Sequence, residues 1–557
     1  MKIFASLDVP VPPNPAAGLV GRQVANSAFL EALLRESDFD AFHFYPGDAY
    51  EHRQFELALS QTLLPRLSGL DLERRIQLHP RFTLPGRLQT ERYHVFHQSD
   101  PLTFFAPLTH MRSRFALEPF PVTAPIHSIS YPSYMETWLR LLLPGPEGCD
   151  AIVCTSRAGQ QVLERAFEHA AQLPPLDRLG LRRKLQLRRI PLGVEAEQFR
   201  PATAAQKLEA RRVLGLPLDQ TLGLCLGRFS EYDKYDLVPL LQTFQRVLRE
   251  QAQHPVLREA GLVLAGARQG SNYPERLLDM AQRMGLAERV RILLDVSGVQ
   301  QVQLYQAADF FISPSDNIQE TFGLTVLEAL ASGLPVLASD WDGYKDMVEH
   351  EVNGLLVPTY AGGDELLGEL GLLSFQRPWH LAVAQGTVLE HGALCTHLLR
   401  LFTEPGLRQK LGEAARQTAL EKTWKQVIKQ HLILWDELKA EALRQPPSRP
   451  GPDPFSPPPS WLFAGHATGA LSPETLLALT ERGVALLRQP EARPWYSELE
   501  GLFDATILRH LCAGVRMGMR MHAVVREVAT QYGWPEAPVM YQLYWLLKHD
   551  YVRIQGE

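Results

Sequence analysis

Two glutamates, Glu320 and Glu328, stand with seven residues between them in the stretch 314–359, which reads PSDNIQETFGLTVLEALASGLPVLASDWDGYKDMVEHEVNGLLVPT. Glu320 lies in a polar loop that follows the strand-like run 309–313. Glu328 falls about two turns into the run 324–331, which is apolar and favours a helix. The pattern places one carboxylate in a crevice at the carboxyl edge of a sheet, where open α/β sheets bind ligands. The other carboxylate points from the helix toward the same crevice.

Such a crevice suits a ligand that carries both hydroxyl and phosphate groups. Carboxylates accept hydrogen bonds from hydroxyls, and the free N–H groups at the helix N-terminus beside Gly323 favour an anion. For a single glutamate near a helix start, helix capping is the more common role. The two glutamates together with their surroundings make a binding site the stronger interpretation.

A basic element, Arg228 to Lys234, follows another strand-like run. Two fixed cations at this place can neutralise a diphosphate leaving group. Any one arginine or lysine is more often a solvated surface residue. Arg228 and Lys234 indicate a binding site only in combination with the two glutamates.

Three weaker candidates lie in the first half of the chain. Gly18 and Gly21 belong to a loop that leads from the first strand into a helix, and glycines let a backbone approach a ligand closely. A flexible loop explains two glycines equally well. His127 lies inside or just after a strand-like run, where a lone histidine is most often structural.

The elements that must position these residues alternate between strand-like and helix-like runs, which predicts an α/β fold with parallel sheets. The length of 557 residues predicts two or three domains. The strands of the first series are predicted at 3–7, 41–45, 93–97, 126–130, 151–155 and 188–191, with helices at 25–34 and 138–143. Those of the second series are predicted at 222–226, 261–265, 290–294, 309–312, 336–339 and 354–357.

The stretch 445–460 holds eight prolines in sixteen residues and predicts a semi-rigid linker. After it, 461–557 is predicted to form a small, mainly helical accessory domain, with helices at 503–515, 521–532 and 539–548 and a strand at 551–554. This order suggests a winged-helix-like unit. The domain has nine Lys and Arg against ten Asp and Glu, so we expect an interaction or regulatory role and no binding of nucleic acid.

The rest of the composition indicates a cytoplasmic protein. The net charge of −6 gives no reason to expect nucleic-acid binding, and the five scattered cysteines are typical of a reducing compartment. The N-terminus does not read as a signal peptide, and no run of about 20 apolar residues predicts a membrane span. Any contact with a membrane is therefore expected to be peripheral.

The segment 314–359 resembles the donor-site signature of GT-B glycosyltransferases of the large retaining family 4. The resemblance lies in Glu320-Thr-Phe-Gly-Leu-x-x-x-Glu328, Ala-Ser-Gly333-Leu-Pro335-Val and Asn353-Gly354-Leu-Leu-Val-Pro. It implies two Rossmann-like domains in the GT-B arrangement. The acceptor side would be 1–195, with 420–444 crossing back to it, and the donor side would be 196–419.

The resemblance also implies roles for single residues. The catalytic group would comprise Glu320, His127, Arg228 and Lys234, and the donor would be bound by Gly18, Gly21, Arg228, Lys234, Thr321, Phe322, Gly323, Leu324 and Glu328. The chain departs from the family in three places. Its Arg228-to-Lys234 spacing is one residue longer, the usual adjacent glycines are replaced by Ala17-Gly18, and Leu192 replaces an asparagine before Gly193.

No metal and no other cofactor is expected, since the resemblance implies a metal-independent reaction with a nucleotide sugar as co-substrate. Two Asp-x-Asp triplets, at 38–40 and 340–342, have the form that metal-dependent sugar transferases of another fold use. That form is common by chance, and the second triplet lies inside the matched segment.

The predicted function is transfer of a sugar from a nucleotide-sugar donor to an acceptor sugar, lipid or peptide, with retention at the anomeric carbon. Two alternatives stay open: another GT-B activity, such as nucleotide-sugar epimerisation, and a non-catalytic sugar-nucleotide sensor that signals through 461–557. The apolar residues around Phe104 and around Trp138 to Leu143 are either core or part of a site for an acceptor with an apolar portion.

Overall fold

The computed structural model describes residues 1–8, 21–67, 71–131, 133–174, 176–250, 253–268, 270–362, 364–371, 377–444, 453, 455–488 and 497–555. Gly18 and its neighbour Ala17 lie outside the described residues, and so does most of the predicted linker, at 445–452 and 454.

A seven-stranded parallel sheet forms the first half, in the order β3-β2-β1-β4-β5-β6-β7. Alternate residues of its N-terminal strand enter two different cores: Ile3 and Ala5 pack on one face and Phe4 on the other. The strands are β1 (Ile3–Ser6), β2 (Ala41–Phe44), β3 (Ile76–Leu78), β4 (Tyr93–His97), β5 (Val122–Pro125), β6 (Ala151–Cys154) and β7 (Gln186–Arg189). The helices are α1 (Gly21–Glu36), α2 (Ala49–Ala58), α3 (Leu64–Arg66), α4 (Leu72–Arg75), α5 (Leu84–Thr90), α6 (Phe105–Phe115), α7 (Tyr134–Leu142) and α8 (Arg157–Gln172).

One predicted strand of this sheet is wrong. The segment 126–130 is a loop, and the strand lies just before it as β5. The apolar Ile126 and Ile129 pack toward Gly159 near the start of α8. The apolar pattern that predicted a strand therefore reflects the packing of a loop. The short strand β3 was not predicted, because only three residues of it pair with β2.

A second parallel sheet of six strands follows, in the order β10-β9-β8-β11-β12-β13. All six were predicted to within one residue at either end. They are β8 (Thr221–Leu226), β9 (Ala260–Gly266), β10 (Val290–Leu294), β11 (Phe310–Ser313), β12 (Val336–Ser339) and β13 (Gly354–Val357). The helices around this sheet are α9 (Ala204–Val213), α10 (Val238–Glu250), α11 (Tyr273–Arg283), α12 (Gly298–Ala307) and α13 (Leu324–Ala331).

The chain then adds a small substructure and returns to the first sheet. The substructure comprises β14 (Thr359–Ala361), α14 (Asp364–Gly371), α15 (Arg377–Gln385) and β15 (Thr387–Leu389), and it is followed by α16 (His391–Thr403), α17 (Pro405–Leu420) and α18 (Trp424–Arg444). Helix α18 packs against the first sheet, where the Trp435 indole N–H donates to Thr123 Oγ1 at 3.0 Å. The chain therefore crosses back between α17 and α18.

The C-terminal region is mainly helical and has a core of its own. Strands β16 (Leu477–Leu479) and β17 (Val552–Ile554) pair antiparallel beside its helices. The helices of this region and of the segment before it are α19 (Pro459–Leu462), α20 (Glu481–Arg488), α21 (Ala505–Arg516), α22 (Met521–Tyr532) and α23 (Glu536–Lys548).

No helix among the described residues combines the length and the apolar character that crossing a bilayer requires.

His431 lies where α18 meets the first sheet. Its side chain is buried, its Nδ1–H donates to the Val427 carbonyl at 3.0 Å, and its ring meets the Phe29 ring at 5.0 Å between centroids. Burial lowers the pKa of His431 to about 4. The fold therefore favours the neutral imidazole.

We expect His431 to make stability depend on pH. Its folded pKa lies below its unfolded pKa of about 6.5, so its stabilising effect is complete above pH 6.5 and is lost as the pH falls toward 4. Replacing it by Gln, which cannot be protonated, should reduce the loss of unfolding free energy between pH 7.5 and pH 5 by about 2 kcal/mol. Urea unfolding at both pH values measures this. An equal pH dependence of wild type and His431→Gln would contradict it.

Candidate active site

A cleft of about 1200 Å³ lies between the carboxyl ends of the two sheets. From the first half, the start of α1 and the loop after β5 line it. From the second half, the loops after β8, β9, β10 and β11 line it. The predicted residues found in its walls are Gly21, His127, Arg228, Lys234, Glu320, Thr321, Phe322, Gly323, Leu324 and Glu328.

Glu320 is held by an ammonium group. Lys234 Nζ lies 2.6 Å from Glu320 Oε2, and both side chains are almost buried. The Tyr344 hydroxyl donates to the same oxygen at 3.3 Å, while the backbone N–H groups of Thr321 and Phe322 approach Oε1 at 3.3 and 3.4 Å. Burial alone would raise the pKa of Glu320, but the Lys234 ammonium and the two backbone N–H groups lower it below its ordinary value. Glu320 is therefore a carboxylate at neutral pH.

Glu328 sits on α13 in a different environment. Its Oε2 accepts hydrogen bonds from the Tyr305 hydroxyl and from Gln301 Nε2, both at 2.8 Å. Burial raises the pKa of Glu328 to about 7, and the two donors limit that rise. The site thus contains two carboxyl groups of unlike acidity, one fully ionised and one that titrates near neutral pH.

Gly323 sets the geometry at the start of α13. Its φ of +98° lies in the left-handed region, and a Cβ on it would collide with the ring of Tyr344. Tyr344 is fully buried, and its hydroxyl is 2.7 Å from Ser313 Oγ. Because Gly323 has no side chain, the helix N-terminus and the Glu320 loop can share one wall of the cleft.

Arg228 lies beside an acidic residue of its own loop. Its Nη1 is 3.6 Å from Asp233 Oδ1, and its Nη2 approaches the Asp233 carbonyl at 3.4 Å. The backbone near it is tightly packed, since a Cβ on Gly266 would overlap the carbonyl of Gly227. The tight packing brings the ends of β8 and β9 together under the cleft.

His127 connects the first half of the chain to the wall of the cleft that contains Glu320. Its Nε2 pairs with Asn26 Oδ1 at 2.9 Å, and its carbonyl accepts from Thr321 Oγ1 at 2.6 Å. Burial and the nearby Arg22 guanidinium lower the pKa of His127 to about 3, so the imidazole is neutral at physiological pH. Two serines that follow His127 add to this connection. The Gln319 side chain bonds to Ser128 Oγ at 2.5 Å and to Ser130 Oγ at 2.6 Å.

Several supporting residues were not predicted from the sequence. Tyr344, Tyr305, Gln301 and Asn26 orient the candidate residues through the bonds given above. Tyr344 lies inside the segment 314–359, so its place in the sequence could have indicated a supporting role. The other three are distant in sequence from the residues they orient, and nothing in their local pattern points to the cleft.

The two Asp-x-Asp triplets lie in different halves of the chain, and aspartates of both form hydrogen bonds with other residues. Asp38 and Asp40 bond to the side chain and the backbone N–H of Lys2. Asp342 Oδ1 accepts from Ser156 Oγ at 3.2 Å. Within the described ranges, no three side chains of His, Cys, Asp or Glu are grouped to hold a metal ion.

The apolar residues that were open to two interpretations lie in the core. Trp138, Leu142 and Phe105 are buried in the same cluster as the first sheet. These three residues are therefore core and do not line the cleft, while Phe104 is half-buried against the same cluster.

Comparisons with known proteins agree with this geometry. Residues 206–368 match the family described as glycosyl transferases group 1. The chain is 32% identical over 257 residues to the D-inositol 3-phosphate glycosyltransferase of Saccharomonospora viridis, which covers 46% of this chain and 51% of the relative. It is 36% identical over 168 residues to the enzyme of that name from Thermobispora bispora, with 30% and 37% covered. The chain thus spans about half, or less, of the length of the curated relatives it matches.

Solved structures show the same fold. Sucrose-phosphate synthase from Thermosynechococcus elongatus superposes with a TM-score of 0.52 at 19% identity, covering 79% of this chain and 100% of that one. HepE from Anabaena, in complex with UDP and glucose, gives a TM-score of 0.52 at 16% identity, with 78% and 100% covered.

The two sheets are Rossmann-like and form a GT-B arrangement, with the cleft between them. Residues 206–368, the part that matches the glycosyl transferases group 1 family, contain the whole second sheet.

We expect Lys234→Met to destabilise the protein by about 2 kcal/mol, because it leaves Glu320 buried and without its counter-charge. The double variant Lys234→Met, Glu320→Gln should recover most of this loss, since no uncompensated charge remains. Urea unfolding of wild type, both single variants and the double variant at pH 7 measures the coupling. Simple addition of the two single effects would contradict the ion-pair interpretation.

Proposed function

We propose that this chain is a retaining glycosyltransferase that moves a sugar from a nucleoside-diphosphate donor to an acceptor hydroxyl. One observation carries the proposal: the Lys234–Glu320 pair lies with Arg228 and Glu328 in the wall of a cleft between two Rossmann-like sheets. The curated relatives are named as glycosyltransferases, which supports the same activity.

The donor would lie against the second sheet. Arg228, Lys234 and the N-terminus of α13 would hold the diphosphate and stabilise its charge as it leaves. Glu320 would accept from hydroxyls of the donor sugar, and Glu328 from the ribose. The Lys234–Glu320 pair keeps both groups in place before the donor arrives.

Retention follows in this proposal from a front-face reaction. Glu320 and Glu328 already have bonded roles in the wall. The other carboxylates that line the cleft are also engaged, Asp233 beside Arg228, Asp295 with the Arg268 N–H and Glu195 beside Arg35, so the proposal assigns none of them as the nucleophile of a double displacement. The bond between the anomeric carbon and the phosphate oxygen breaks, and the acceptor oxygen bonds to that carbon on the same face. The acceptor proton passes to the departing phosphate. Closure of the two sheets around the donor would exclude water and limit hydrolysis.

The acceptor would enter from the first sheet, beside neutral His127 and the start of α1 at Gly21. A sugar, a lipid headgroup or a peptide hydroxyl could supply the attacking oxygen. The five free cysteines are compatible with the cytoplasmic location that the composition predicts.

The test is a screen of UDP-, GDP- and ADP-sugars for release of the free diphosphate, with and without sugar, inositol phosphate and lipid acceptors. Wild type should release the diphosphate from one donor, faster when an acceptor is present. Glu320→Gln should lower the turnover about a hundredfold, since it weakens contacts made in the transition state. Glu164→Gln, the same substitution at an exposed glutamate of α8 that does not line the cleft, is the matched control and should keep wild-type turnover. Epimerised donor without transfer would favour the epimerase, and binding without turnover would favour the sensor.

Activity should not need a divalent ion, because the proposed site neutralises the diphosphate with Arg228, Lys234 and a helix N-terminus. Turnover measured in excess EDTA should stay within about twofold of turnover with added Mg²⁺. A strict requirement for Mg²⁺ or Mn²⁺ would contradict the assignment of these cations to the leaving group.

A further inference from the structure

The substructure 359–389 lies against the arginine-bearing loop of the cleft. Strands β14 and β15 pair antiparallel and hold its two ends together. The Trp379 indole N–H donates to the Leu367 carbonyl at 2.8 Å, which ties α15 to α14. Gln385 Nε2 donates to Asp236 Oδ2 at 3.2 Å, which ties α15 to the loop after β8. Helix α15 is therefore fixed relative to the residues that follow Gly227.

Arg377, the first residue of α15, reaches into that loop. Its Nε lies 3.3 Å from Asp233 Oδ2, and its Nη2 donates to Ser230 Oγ at 3.1 Å. The guanidinium also lies over the ring of Tyr232, 5.4 Å from the centroid. Three contacts with three residues of one loop make this an ordered placement.

Asp233 is shared between two guanidinium groups. Arg377 faces Oδ2, while Arg228 Nη1 lies 3.6 Å from Oδ1. Asp233 is buried and lines the cleft beside Arg228 and Lys234. A buried carboxylate at this point would repel a bound diphosphate and compete with it for Arg228.

We propose that Arg377 is a positioning residue for the anion-binding arginine. It keeps the Asp233 carboxylate neutralised, so that the Arg228 guanidinium can turn to a nucleoside diphosphate without leaving a buried charge alone. The inference rests on the proposed function, because it takes the diphosphate as the ligand of Arg228. It adds a residue from outside the matched motifs: the family match ends at residue 368, nine residues before Arg377.

A purely structural role would make a different prediction. If Arg377 only anchors α15, its loss would disturb the loop whether or not Asp233 carries a charge. If Arg377 acts by neutralising Asp233, then removing that charge should make Arg377 dispensable. A double-variant cycle between the two positions separates these cases.

The experiment measures the dissociation constants of UDP, GDP and ADP by calorimetry on the full chain, and follows the nucleotide that binds wild type best. Arg377→Ala should weaken binding about tenfold, and Arg377→Gln by a similar factor. Asp233→Asn should bind at least as tightly as wild type. Asp233→Asn, Arg377→Ala should match Asp233→Asn within about twofold. Arg400→Ala, which removes the Arg400–Glu351 ion pair of α16, is the control and should not change the affinity.

Three results would overturn the inference. The first is wild-type affinity in both Arg377→Ala and Arg377→Gln. The second is a double variant as weak as Arg377→Ala, which would mark Arg377 as an anchor only while leaving the proposed function intact. The third is absence of nucleotide binding by wild type itself, which would remove the proposed function and this inference together. Arg377→Gln keeps the test valid if Arg377→Ala does not fold.

Discussion

The site depends on keeping a buried carboxylate charged. Glu320 lies in a loop where burial alone would favour its protonated form, and the Lys234 ammonium at 2.6 Å reverses that preference. The pair joins the loop after β8 to the loop after β11, which are far apart in sequence. The bond from Tyr344 to Glu320 and the left-handed backbone of Gly323 complete the same wall. Because these contacts fix the charged group, the loops after β8 and β11 have little conformational freedom.

A second group of opposite charges lies in the same cleft. Asp233 lies between Arg228 and Arg377, and Arg377 belongs to the substructure 359–389, which the donor-site motifs do not include. On the other side of the cleft, neutral His127 and its neighbours bond to the Glu320 loop through their backbone and hydroxyl groups. The wall from the second half therefore contains ion pairs of both signs, and the facing wall contributes neutral His127 together with the Arg22 guanidinium.

The sequence predicted much of this architecture but not all of it. The six strands β8 to β13 read as short apolar runs, and all but the edge strand β10 are largely buried, so their positions were predicted to within one residue. The strand at 126–130 was wrong, because the same apolar spacing also serves a loop that packs on Gly159. Trp138 and Leu142 could be read as core or as a binding surface, and only their burial in the cluster on the first sheet showed that they are core.

The sequence by itself determined the residue types and spacings of the candidate site: Glu320 and Glu328 across a strand-to-helix junction, and Arg228 and Lys234 after a strand. These are local patterns, and helix and strand periodicity act over the same short range. The tertiary structure decided which distant groups meet them. It paired Lys234 with Glu320, set Tyr305 against Glu328 and brought Arg377 to Asp233. Such contacts depend on how two sheets and their crossovers pack, and no local spacing encodes that.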